Sequence, residues 1–135
     1  MGSSGFLPAM LANQPIIAFI PSRDAARART FYEHTLGLRF VSDDDFAIVL
    51  DANGTMLRIV RAGDFTPLPF TILGWQVPNL EQAVADLTAK GVQFQRYGFL
   101  EQSPSGIWTT PTGDKVAWFT DPDGNTLSLS QFAAL

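Results

Sequence analysis

The chain has no cysteine, a single histidine and few charges for its length. Without cysteine there is neither a disulfide frame nor a thiolate metal site. With His34 as the one imidazole, a metal centre built mainly from histidines is excluded too. No apolar run comes near the roughly 20 residues that cross a bilayer, and the apolar stretch of a secretory signal is missing. Charged residues make up 16% of the 135 positions and hydrophobic ones 46%, which gives ample core material and no signature of disorder. Basic side chains are also scarce, and the formal net charge is -4, where a nucleic-acid binder carries a basic face. Only Arg23, Arg27 and Arg29 cluster, as the solvated side of a helix. The expectation is a soluble, cytoplasmic protein without nucleic-acid or membrane partners.

What is present is patterned. Residues 1–14 read as a tail, partly an expression remnant (Met1-Gly2-Ser3-Ser4-Gly5), and are set aside. Ile16 to Ile20 reads as a buried strand ending at Pro21. A helix follows, with Asp24 in its first turn and Ala28, Phe31, Tyr32, Thr35 and Leu36 on one face. Gly37 ends it. Strands are expected at Leu38 to Val41, Phe46 to Leu50 and Met56 to Val60, with Asn53-Gly54 as a hairpin turn. After a linker at 63–69 the order returns. Thr71 to Val77 is a strand, and Asn79 caps a helix with Gln82 as capping-box partner. Leu80, Ala83, Val84 and Leu87 form its apolar face, and Gly91 stops it. Val92 to Phe94, Ile107 to Thr110, Val116 to Thr120 and Leu127 to Leu129 then read as strands.

The two halves match position by position. Gly37 and Gly91 are 54 apart, and Ile17 and Ile72 are 55 apart. Beyond an insertion the offset is 70, pairing Ala47 with Ala117, Asp51 with Asp121, Gly54 with Gly124 and Leu57 with Leu127. One order of elements occurring twice implies duplication. The expected organisation is a first module at 15–62 and a second at 70–132.

Two motifs carry a resemblance. Phe31-Tyr32-Glu33-His34-Thr35-Leu36-Gly37-Leu38 follows the first strand, and Asp121-Pro122-Asp123-Gly124-Asn125 precedes the last. In this order and spacing the chain resembles the vicinal oxygen chelate superfamily, which holds glyoxalases, extradiol dioxygenases and bleomycin-resistance proteins. The resemblance covers about residues 15–132. It implies an α+β fold of two βαβββ modules whose curved mixed sheets form a cup, completed within a chain or across a homodimer. It also implies where metal-using relatives place their ligands: Ile17, Arg58, Ile72 and Ser128 here. None is a usual donor, and a guanidinium has no lone pair to offer. The carboxylates Asp43, Asp44 and Asp45 read as a solvated turn, and the Asp121 motif lacks the full spacing and distal Glu of a calcium loop.

Strand alternation then proposes a cup lining. Ile17 and Phe19 share a face, as do Ile72, Gly74 and Gln76, while Met56 and Arg58 face the cup from one last strand and Ser128 from the other. Trp108 and Tyr97, in or near the inserted segment, are candidates to close over a flat ligand. These residues suit a small organic molecule, and Arg58 suits one with an acidic group. The leading expectation is a binding protein that sequesters its ligand, with no cofactor, no metal and no catalytic residue. Two alternatives stand beside it: a metal-dependent lyase, dioxygenase or isomerase with non-standard ligands, and a non-catalytic dimerisation or regulatory module.

Overall fold

The structure, a computed structural model, describes residues 10–134, so residues 1–9 of the expected tail lie outside it. The elements are β1 (Ile17–Ser22), α1 (Ala25–Arg29) continuing as π-helical turns over Thr30–Thr35, β2 (Arg39–Asp43), β3 (Ala47–Ala52), β4 (Thr55–Arg61), β5 (Thr71–Gln76), α2 (Leu80–Ala89), β6 (Trp108–Thr109), β7 (Lys115–Thr120) and β8 (Thr126–Gln131). They build two four-stranded sheets, β1-β4-β3-β2 and β5-β8-β7-β6. In each, the first strand runs parallel to the last, and the other neighbours are antiparallel. This is the α+β arrangement of two βαβββ modules that the sequence predicts. β1 runs on through Pro21 to Ser22, because it is an edge strand with one neighbour and a missing N–H costs little there.

Both helices start on side-chain caps. Asp24 is the N-cap of α1, one step outside the first turn, and accepts from the Arg27 N–H at 3.1 Å. Asn79 does the same for α2, accepting from the Gln82 N–H at 3.1 Å. Among the described residues the return bond of a capping box, from the Asn79 N–H to Gln82, is absent; the Gln82 amide N–H donates to Asp86 at 2.8 Å. Gln131 from β8 accepts from the Leu80 N–H at 2.8 Å. The π-helical turns account for an irregularity in the repeat. They add one residue to the first helix, which is why the offset falls from 55 at the caps to 54 at the stop glycines.

Strand register corrects the repeat elsewhere. Asp51 sits opposite Met56, whereas Thr120 sits opposite Thr126, so the second turn holds one residue more. β3 therefore corresponds to β7 at an offset of 69, and Ala47 and Ala117 lie on opposite faces of their sheets. The strand expected at Val92 to Phe94 does not form; the Gln95 N–H donates to the Trp118 carbonyl at 2.7 Å, and Phe94 packs on Phe119 with ring centroids 5.4 Å apart.

The helix-bearing faces of both sheets feed one core. Ile20, Ile48, Leu50, Leu57 and Ile59 join Ala117, Phe119, Leu127 and Leu129, with Tyr32, Leu80 and Val84 from the helices. Phe31 meets Phe119 across the modules with ring centroids 6.4 Å apart. Each such side chain contributes about 1.5–3 kcal/mol by leaving water. On the opposite face of the first sheet β1 stays open, with Ile17 45% and Phe19 59% exposed, while Val49 of β3, opposite Arg58, is buried.

Candidate functional site

Period-two alternation puts four of the expected residues on that open face. Ile17 lies opposite Met56, and Phe19 opposite Arg58. The Arg58 side chain is 26% exposed, and a guanidinium nitrogen stands 3.9 Å from Asp44 Oδ2. Asp44 is itself a turn cap, accepting from the N–H groups of Phe46 and Ala47 at 2.8 Å each. Those two bonds, and then the nearby Arg58 and Arg61, hold its carboxyl below the usual range. The three-aspartate turn is thus a cap and a counter-charge, since Asp43 pairs with Arg61 at 2.8 Å. His34 is exposed near Glu33, at 3.9 Å.

The corresponding face of the second sheet is aromatic. Trp118, not Phe119, takes this side, opposite Ser128. Trp108 stacks on Trp118 with centroids 6.2 Å apart and planes at 28°, and Tyr97 meets Trp118 edge-on at 5.4 Å. Ser128 is buried beneath, so close to the Gly74 backbone that a Cβ on Gly74 would stand 2.8 Å from Ser128 Oγ. Gln76 is exposed opposite Ser130. Ile72 sits at a register shift and packs against the core, so the alternation does not carry through it to Gly74. The structure therefore gathers Ile17, Phe19, Met56 and Arg58 on one sheet, and Ser128, Trp108 and Tyr97 on the other. Among the described residues no hydrogen bond, ion pair or aromatic contact joins the two sets.

A second cluster was read from the sequence only as a turn. Asp121, Asp123 and Asn125 are 4%, 2% and 2% exposed. Asp121 Oδ1 accepts from the N–H groups of Asp123 and Asn125, both at 2.9 Å. Its Oδ2 accepts from the Tyr32 hydroxyl at 2.7 Å and the Asn125 amide at 2.9 Å. Asp123 accepts from the Ser22 hydroxyl at 2.6 Å and the Arg23 N–H at 2.9 Å, and the Arg23 guanidinium donates to its carbonyl. Asn125 donates to the Pro21 carbonyl at 2.9 Å. The turn is a polar latch between modules. No local sequence signal marks it, because its partners lie about a hundred positions apart.

Burial, and then the adjacent Asp121 carboxylate, push the Tyr32 hydroxyl well above its usual titration range. The folded protein keeps this proton where the unfolded chain gives it up. The associated stability is fully present below about pH 10 and lost above it, by about 1.4 kcal/mol per pH unit. Urea titrations from about pH 9 to pH 11 are expected to show that slope in the wild type, and Tyr32→Phe is expected to remove it.

The model of the Glyoxalase/Bleomycin resistance protein/Dioxygenase superfamily matches residues 14–129. The chain belongs to this superfamily. Among solved structures, the bleomycin resistance determinant encoded on the transposon Tn5 is 24% identical, with a TM-score of 0.69 over 88% of this chain and 98% of that one. TnmS3, an antibiotic binding protein from Streptomyces sp. CB03234, is 22% identical, with a TM-score of 0.67 over 92% and 99%. Lactoylglutathione lyase from Agrobacterium tumefaciens is 14% identical, with a TM-score of 0.69 over 88% and 93%. No curated protein matches at comparable significance. At these identities the structures establish the fold, which is shared by a bleomycin resistance determinant, an antibiotic binding protein and a lyase. The resemblance sets a metal at Ile17, Arg58, Ile72 and Ser128, and that donor set does not fit one: two alkyl groups, a cation and a hydroxyl. Among the described residues no three of His, Asp and Glu gather as an alternative centre.

Proposed function

We propose that the protein binds a small organic molecule on the open sheet faces and acts by sequestration, without metal and without breaking a bond. The observation that carries this reading is the lining itself. One sheet offers Phe19, Met56 and the half-buried Arg58, and the other offers stacked Trp108 and Trp118 with Tyr97 at their edge. Such a surface supplies shape, stacking and an anion partner, and lacks both a general base and metal donors. The ligand class is a flat molecule with a carboxylate or similar acidic group. The test is elemental analysis after dialysis against trace zinc, manganese and iron. Less than stoichiometric retention is expected, and retention of one metal per chain overturns the reading.

The same proposal includes a homodimer. Ile17, Phe19 and Met56 form an exposed apolar face on one sheet, which a second copy would cover while bringing an aromatic face opposite Arg58. Light scattering at micromolar concentration is expected to give twice the chain mass. A single-chain mass throughout would require one copy to complete the site alone.

A further inference from the structure

The latch has an open counterpart at the other junction of the pseudo-repeat. On the latched side, the turn before β8 closes on the end of β1. On the other side, the turn before β4 faces the end of β5, and a cleft of about 550 Å³ remains between them. Ala18, Asn53, Thr55, Leu57, Trp75 and Gln76 are among its walls. The sequence says why it stays open. At the 55-residue offset Ser22 becomes Val77, which has no hydroxyl, and Arg23 becomes Pro78, which has neither N–H nor guanidinium. At the 70-residue offset Asp123 becomes Asn53 and Asn125 becomes Thr55. The shorter turn also lacks the extra residue that brings Asp121 into the latch, and Tyr32 has only Leu87 as its counterpart. The bonds that Ser22, Arg23 and Tyr32 make to Asp121 and Asp123 at the first junction have no counterpart donor at the second.

We infer that this cleft is a second ligand site, distinct from the sheet faces and selective for a neutral, flat molecule with an amide or hydroxyl group. Its volume lies within the range of small-molecule pockets. Among the described residues no charged side chain lines it, so an ionised ligand would lose its hydration without a partner. Trp75 supplies an indole wall. Asn53, Thr55 and Gln76 also line the space, and their side chains make no hydrogen bond to another described residue, which leaves donors and acceptors available to an uncharged polar group. Gly74 and Gln76 belong both to the cleft and to the expected sheet-face lining.

The chain has three tryptophans, so labelling with 5-fluorotryptophan reports both sites at once: Trp75 in the cleft, Trp108 and Trp118 on the sheet. The probes are benzamide and benzoate, which differ in charge at equal shape. Benzamide is expected to shift the Trp75 resonance saturably, with a Kd on the order of 1 mM for so small a fragment, and benzoate to bind at least about tenfold more weakly, the scale of one lost buried hydrogen bond. Ala52→Phe, which fills the cleft from the turn, is expected to abolish the Trp75 shift. Thr55→Val, a milder change, is expected to weaken it several-fold with an unaltered thermal melt. Shifts confined to Trp108 and Trp118, equal affinity for benzoate, or no saturable shift at Trp75 would each overturn the inference. None of these outcomes bears on metal retention or dimerisation, so the sheet-face reading stands or falls separately.

Discussion

Asp121→Ala is expected to destabilise the fold by about 3–5 kcal/mol, one of the largest effects available to a polar substitution here. The carboxylate is buried and accepts four hydrogen bonds: two from backbone N–H groups of its own turn, one from Tyr32 and one from Asn125. Truncation strands all four donors, and each buried unsatisfied group costs about 1–3 kcal/mol, partly relieved where water enters. Urea denaturation measures it, as a midpoint lowered by about 1 M or more with little change in slope. Asp51→Ala is the internal comparison. Among the described residues Asp51 reaches only the Gly54 N–H at 3.4 Å and an exposed Arg39 at 3.8 Å, so its loss should stay within about 0.5 kcal/mol. Equal losses for the two variants would show that the latch contributes no more than an ordinary turn.

Arg58→Ala is expected to weaken the acidic ligand of the proposed sheet-face site by about 1.5–3 kcal/mol, or roughly 10- to 150-fold. Among the described residues the guanidinium has a single counter-charge, Asp44, at the long distance of 3.9 Å, which leaves donors available to a planar anion. Stability should change little, because the pair with Asp44 is long and solvated. Calorimetric titration of wild type and variant with a ligand found by screening provides the comparison. Unchanged affinity would reduce Arg58 to the counter-ion of a turn.

Much of the fold was legible because it is written in periods and punctuation. The apolar alternation, the caps at Asp24 and Asn79 and the stops at Gly37 and Gly91 place most elements within a residue or two. The misreadings share a cause: single inserted residues, which composition does not reveal. One widens the first helix into π-helical turns, one lengthens the turn at Asp121, and one at Ile72 breaks the alternation of β5. Val92 to Phe94 has strand composition but only one ladder bond, because the following segment folds over Trp118 instead. The site was legible as a set of faces, since register follows from period two. The latch was not, because it joins residues about a hundred positions apart, and nothing local in Asp121-Pro122-Asp123 tells a buried turn from a solvated one.

That separation also sets an order of events during synthesis. The helix-bearing face of the first module is complete once Arg61 has been made, yet its cover comes from Phe119, Asp121 and Leu127. At about 5–20 residues per second, the ribosome takes several seconds to reach them. For that interval the nascent chain presents Ile20, Leu57, Ile59 and Tyr32 without their partners, a surface of the kind that chaperones hold. The segment from Phe119 to Leu127 therefore releases the first module from this exposure, and a stop codon or pause shortly before Asp121 would leave a fully patterned but sticky intermediate.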